Sequence, residues 1–242
     1  FFILLNMQNI TLLDSQTDER FPIVAGDYLL NQIAITLQKF NTCFVGLSGG
    51  GTPKPIYEWL GKQTSVDWSK VTFFIVDERY IDASDSRSNT KMIRDKLLSG
   101  GGIKEDNVIF PDTSLSIEDC ISNYEERLKN ALDNNSESTI IVLGMGGDGH
   151  IASIFPPVES KLLDSNSCDT IFHTQTTKFD VKDRFTISLE RIAQAGTKIF
   201  FLHGSEKKTV WEDMKNSEPD NYERWPALYV MKNNVIAITY FP

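Results

Sequence analysis

The sequence predicts an α/β fold: an open, mostly parallel, doubly wound sheet of Rossmann-like form with helices on both faces. Three observations lead there. Short, nearly continuous apolar runs recur along the chain, as expected of strands buried on both faces of a parallel sheet. Segments with apolar residues three or four positions apart separate them, which gives the alternation of a doubly wound sheet. Several runs stop at a glycine cluster or a charged triplet, where open α/β sheets bind their ligands.

The elements follow in order. Leu29, Ile33, Leu37 and Phe40 recur at helical intervals, so residues 22–40 form an amphipathic helix. Residues 43–47 (Cys-Phe-Val-Gly-Leu) are the first buried strand, and Pro53 opens a helix over residues 53–60. Residues 71–76 and 139–143 are further strands, with helices over 89–98 and 117–132 between them. Ser99-Gly100-Gly101-Gly102 is a flexible loop. A later strand over 198–202 leads into a helix near 207–214, and residues 235–239 supply one more strand. No linker or repeat interrupts the chain, so residues 1–242 are read as a single domain, with residues 1–13 set apart as an N-terminal extension.

Composition narrows the function. Hydrophobic residues at 40% and charged residues at 24% permit a sizeable core and exclude disordered, coiled-coil and collagen classes. Lys plus Arg number 24 against 33 Asp plus Glu, a net charge of −9. With no basic run, nucleic acid is not an expected partner, and an anionic ligand needs a local positive pocket. Cys43, Cys120 and Cys168 have no metal-ligand spacing, which suits a reducing compartment. The apolar residues 1–5 fall far short of the roughly 20 that span a bilayer and lack a basic start, so neither membrane nor signal peptide is expected. The chain starts with Phe1, and a cleaved product, a trimmed chain, a piece of a fusion and a natural start at Met7 all stay open.

Chemistry concentrates after the strands. Ser48-Gly49-Gly50-Gly51-Thr52-Pro53 lets backbone approach a ligand at a helix start, the makings of an anion site, although a plain tight turn would read the same. It lacks the Gly-Lys-Ser/Thr ending of a Walker loop. Asp77-Glu78-Arg79 and Arg87-Ser88-Asn89 read either as a solvated loop with Asn89 as helix cap or as an arginine grip on an anion. Gly144-Met145-Gly146-Gly147-Asp148-Gly149-His150 precedes a run able to enter a helix. His150 suits proton transfer near neutrality, Asp148 could orient it, and glycine N–H groups could meet an oxyanion. His173 and His203 show no charged partner nearby and read as structural. No converging set of zinc ligands is evident, and a serine triad through Ser48 or Ser153 lacks its Gly-x-Ser-x-Gly elbow. Gly204-Ser205-Glu206-Lys207-Lys208 sets cations at a helix start, against the dipole preference, which hints at an anion.

In this order, these segments, with Ile151-Ala152-Ser153-Ile154-Phe155-Pro156, Arg184-Phe185-Thr186-Ile187-Ser188 and Trp225-Pro226-Ala227, resemble the 6-phosphogluconolactonases from about Asp14 onward. The resemblance implies hydrolysis of 6-phospho-D-glucono-1,5-lactone in the oxidative pentose phosphate pathway, in the cytoplasm, without metal or organic cofactor. His150 matches the family's general base, Asp148 its active-site neighbour, and Arg79 the arginine after the Asp77-Glu78 pair. Ser48, Gly49, Gly50, Thr52 and Lys207 match substrate and phosphate positions, with Asp77 and Arg184 assisting; Lys207-Lys208 leaves the phosphate lysine open by one. The expected partner is a small sugar phosphate. The chain is expected to act as a monomer, with a fusion to a dehydrogenase domain left open. Glucosamine-6-phosphate deaminases share the fold but carry an Asn-Glu pair where this chain has Ile154-Phe155, and a non-catalytic sensor should have lost His150 or Asp148.

Overall fold

The computed structural model describes residues 10–164, 169–232 and 234–242. Residues 1–5, Met7 and Cys168 lie outside them.

Among the described residues, ten strands and seven α-helices follow in chain order: β1 (Ile10–Asp14), α1 (Phe21–Phe40), β2 (Cys43–Leu47), α2 (Lys54–Leu60), β3 (Val71–Ile75), β4 (Asp77–Arg79), α3 (Asn89–Lys96), β5 (Val108–Ile109), α4 (Ile117–Leu132), β6 (Thr139–Leu143), β7 (Ile171–Gln175), β8 (Asp183–Ile187), α5 (Leu189–Gln194), β9 (Thr197–His203), α6 (Ser205–Lys215), α7 (Pro226–Val230) and β10 (Val235–Tyr240). The apolar runs become the interior of one seven-stranded sheet, ordered β1-β10-β9-β6-β2-β3-β5 and parallel at every pairing. All five residues of β6 are buried, the reason its sequence does not alternate.

From β2 the chain winds outward through β3 to β5, and then returns through β6 outward to β9 and β10. Right-handed crossovers in opposite directions set their helices on opposite faces of the sheet. The reversal falls between β2 and β6, so the two glycine turns that follow those strands are neighbours in space. Residues 10–13, grouped with an N-terminal extension in the sequence reading, belong to the sheet: β1 pairs with β10 along its whole length, Ile10 opposite Val235.

A second sheet was not foreseen. Asp77-Glu78-Arg79 is a strand rather than a solvated loop, and it forms an antiparallel sheet of order β4-β8-β7. Val76 links the two sheets: its N–H donates to Leu47 O at 3.0 Å and its carbonyl accepts from Ile187 N–H at 2.9 Å. The small sheet therefore stands beside the carboxyl end of β2.

Candidate active site

The turns after β2 and β6 open onto one cavity of about 580 Å³. The Ser48 hydroxyl donates to Val142 O at 2.8 Å, tying the first turn to β6, while Tyr57 donates to Ser48 O at 2.9 Å. Gly50 takes a φ of 101°, which a side chain would strain, and Ser48, Gly49, Gly50 and Thr52 all line the cavity.

On the β6 side, Gly146 N–H donates to His150 O at 2.8 Å and closes the turn. A Cβ at Gly146 would lie 2.1 Å from His150 Nδ1, so glycine is what lets the ring fold back on its own turn. There His150 Nδ1 donates to Asp148 Oδ1 at 2.5 Å, and the His150 backbone N–H donates to the same oxygen at 3.2 Å. Lys178 Nζ donates to the other oxygen at 2.7 Å. Partial burial works to raise the Asp148 carboxyl, but the bonds from His150 and Lys178 together outweigh it and hold the group well below the usual carboxylate range. An ionised Asp148 accepts only, so the imidazole proton sits on Nδ1 and the lone pair on Nε2. The ring is walled by Phe155 and Phe179, at centroid distances of 4.7 and 5.8 Å.

No helix follows this turn, contrary to the sequence reading. Ala152 and Ser153 lie in the left-handed region, with φ of 47° and 54°, where each residue stores strain of about 1 to 3 kcal/mol. This conformation aims the Ser153 hydroxyl at Asp77 Oδ2, to which it donates at 2.5 Å. Ser48 and Ser153 are thus engaged by Val142 and Asp77, and neither is hydrogen-bonded to His150.

The small sheet supplies the positive wall. Arg79 on β4 stands directly opposite Arg184 on β8. Like charges at such a position are unfavourable unless an anion joins them. Arg79 donates through one terminal nitrogen to Arg87 O, while its buried Nε has no partner. Arg184 is 5% exposed and packs its guanidinium over Phe155 and Phe179 at 5.6 and 5.0 Å. Burial first, and then the charge of Arg79, push Arg184 below the usual arginine range. Glu78, opposite Phe185 on β8, points into the interior and is fully buried. Its Oε1 accepts from the N–H groups of Arg79 and Asn89 at 2.7 and 2.8 Å, and its Oε2 from Thr90 N–H and the Ser88 hydroxyl at 2.6 and 3.1 Å. Ser88, not Asn89, caps α3. The Asn89 amide instead donates to Asp77 O at 2.6 Å and so helps place Asp77 at the cavity wall.

Lys207, in the first turn of α6, lines the cavity opposite the small sheet together with Glu206; Lys208 is exposed and does not line it. His150, Asp148, Arg79, Ser48, Gly49, Gly50, Thr52, Asp77, Arg184 and Lys207 therefore border one space, while Lys208 and Arg87 do not. Lys178 and Phe179 were not anticipated. They come from the turn between β7 and β8, and nothing in their local sequence marks them. His173 and His203, expected to lack charged neighbours, each meet a carboxylate: Asp183 at 2.9 Å and Asp18 at 2.6 Å. Among the described residues, no group of three or more His, Cys, Asp or Glu is arranged to hold a metal ion, and no helix is long and apolar enough to cross a membrane.

Comparison with known proteins bears on this site. Residues 16–238 match the family model described as glucosamine-6-phosphate isomerases/6-phosphogluconolactonase. A probable 6-phosphogluconolactonase of Dictyostelium discoideum is 40% identical over 92% of this chain and 94% of its own length. A bifunctional glucose-6-phosphate 1-dehydrogenase/6-phosphogluconolactonase of Plasmodium falciparum is 33% identical over 93% of this chain, which spans 28% of that longer protein. Among solved structures, the 6-phosphogluconolactonase from Plasmodium vivax superimposes with a TM-score of 0.86 at 29% identity, covering 98% of this chain and 92% of that one. The enzyme from Thermotoga maritima gives 0.82 at 27% identity, covering 96% and 100%.

Proposed function

The chain belongs to the family of glucosamine-6-phosphate isomerases and 6-phosphogluconolactonases, and from that premise we propose that it hydrolyses 6-phospho-D-glucono-1,5-lactone to 6-phospho-D-gluconate in the oxidative pentose phosphate pathway. The observation that carries this reading is the His150–Asp148 pair, at 2.5 Å, on the wall of a cavity that also holds Arg79, Arg184 and Lys207.

The lactone is an activated ester. It needs a base for water, a donor for the carbonyl oxygen and a grip on the distal phosphate. His150 Nε2, freed by the bond from Nδ1 to Asp148, takes the water proton as the hydroxyl oxygen attacks the carbonyl carbon. The protonated ring then delivers that proton to the ring oxygen as the C–O bond breaks. Charge on the tetrahedral oxygen is met by the Arg79 guanidinium on the cavity wall or by N–H groups of the glycine turns. Lys207 and the turn from Ser48 to Thr52 hold the phosphate, which converts remote binding into orientation. Arg184 and Asp77 position the sugar between them.

The groups this mechanism uses are all supplied by this chain, so the reaction as proposed requires no second subunit. Cys43 and Cys120 are buried free thiols, which supports a cytoplasmic setting. Phe155, packed on His150, offers no proton at the position where the deaminases carry a carboxylate. The deciding experiment supplies fresh 6-phosphogluconolactone and, separately, glucosamine 6-phosphate to the purified protein. Proton release well above the spontaneous rate from the first, with no ammonia from the second, is expected, and His150→Gln should lower kcat by roughly 10²- to 10⁴-fold. Ammonia release that tracks enzyme concentration, without faster lactone opening, would overturn the proposal.

A further inference from the structure

The β7–β8 turn reaches across the mouth of the cavity and makes two contacts with the same catalytic unit. Lys178 Nζ donates to Asp148 Oδ2 at 2.7 Å, and its neighbour Phe179 sets its ring 5.8 Å from that of His150. Lys178 and Asp148 are 30 positions apart in the chain, and Phe179 stays 43% exposed, a large apolar ring held at the surface by what it covers. Asp148 is thereby shared: one oxygen serves the imidazole and the other an ammonium.

We propose that Lys178 is a positioning residue of the reaction, acting through Asp148 to hold the base in the tautomer and orientation that leave Nε2 free, with Phe179 fixing the plane of the ring. This rests on His150 being the base. The physical reason lies in the carboxylate. Without a donor on Oδ2 the carboxylate is held from one side only, through Oδ1, and can tilt about its Cβ–Cγ bond out of line with Nδ1. The ammonium pins the outer oxygen and so leaves one orientation.

The same cation also sets the charge that the imidazole meets. Asp148 is the anion in contact with the ring, and Lys178 takes part of its field. Arg184 lies behind Phe155 and Phe179, Arg224 donates to Asp148 O at 2.9 Å, and Glu206 packs against the Gly147 backbone within the same turn. Removing Lys178 leaves the Asp148 charge to the ring and subtracts one cation, and both changes favour imidazolium. A reaction that needs neutral His150 then loses rate at a higher pH than before.

The test compares Lys178→Met and Lys178→Arg with the parent enzyme, by the pH profile of kcat/KM and by ¹⁵N NMR of the imidazole. For the Met variant the expected result is kcat lowered about tenfold with KM within about twofold. The acid limb should move up by roughly half to one pH unit, and the imidazole titration should move with it. Melting should be little changed, because the side chain lies in an exposed turn. The Arg variant, which keeps the cation, should recover most of the rate. An acid limb that does not move, or an Arg variant as impaired as the Met variant, overturns the proposal. If the parent enzyme shows no acid limb that His150→Gln abolishes, the reading of His150 as base has failed instead, and the two failures are told apart.

Discussion

Replacing Asp148 by Asn tests the electrostatics of the site with almost no change of shape. In the native site Oδ1 accepts from His150 Nδ1 and from the His150 backbone N–H, while Oδ2 accepts from Lys178. An amide has one acceptor oxygen to offer to two sides. If that oxygen stays with His150, the new NH₂ faces the Lys178 ammonium, donor against donor. If the amide flips, Lys178 is satisfied, but the NH₂ now faces the neutral His150 backbone N–H and donates to Nδ1, which drives the ring proton onto Nε2, where it blocks acceptance of a proton from water. The flipped form relieves the worse clash because it involves a full charge. Asp148→Asn should therefore lower kcat by about 10³- to 10⁴-fold, or about 4 to 5.5 kcal/mol of barrier, the scale of the same change in a Ser-His-Asp triad. Some stability should be lost as well, because a carboxyl held below its ordinary range by His150 and Lys178 favours the folded state while it is ionised. Initial-rate measurements on fresh lactone give the number, and urea unfolding controls for the fold. The double variant with Lys178→Met removes the donor that drives the flip and should run faster than Asp148→Asn alone. A folded Asp148→Asn enzyme within about tenfold of the parent rate would refute the tautomer argument.

Three further outcomes can be checked. Lys207→Ala should weaken 6-phosphogluconate binding by roughly 10- to 100-fold in calorimetry, the worth of a charge-assisted hydrogen bond, while Lys208→Ala should leave it within about twofold, because Lys208 does not line the cavity. Glu78→Gln leaves at least one of the four buried donors facing an NH₂ and should cost about 1 to 3 kcal/mol of stability by denaturant titration, with kcat also reduced because β4 and the start of α3 shift together. Lys198 is buried with its ammonium on Ala193 O and Ala195 O and no carboxylate, and burial lowers its pKa from 10.5 to about 8. Between those two values the unfolded chain binds more protons than the folded one, so stability should rise with pH from about 8 toward 10.5 and lose that component of slope in Lys198→Met, as read from melting curves across that range.

Much of the fold and of the site was legible in the chain because the deciding signals are local. β2, β6 and α4 begin and end where their apolar spacing places them, and the glycine turns after β2 and β6 announce themselves by residue type alone. Even so, the chemistry of Gly144 to His150 could be read only as a set of capable groups in order. Which groups meet was decided by contacts distant in sequence. β4 is too polar to read as a strand, and it becomes one because β8 pairs with it and the carboxylate of Glu78 gathers four donors in the interior. Ser153 reaches Asp77 only through two residues held in the left-handed region, where a local reading predicts a helix. Lys178 carries no local mark at all: a lysine in a hairpin turn is an ordinary solvated residue until the strand order brings that turn over Asp148. The sequence by itself determined the period of each element and the chemical groups available at each strand end. Only the tertiary structure decided which side of each turn faces the cavity, which of two adjacent lysines does so, and which two donors share one carboxylate, because those depend on directions in space that chain spacing does not encode.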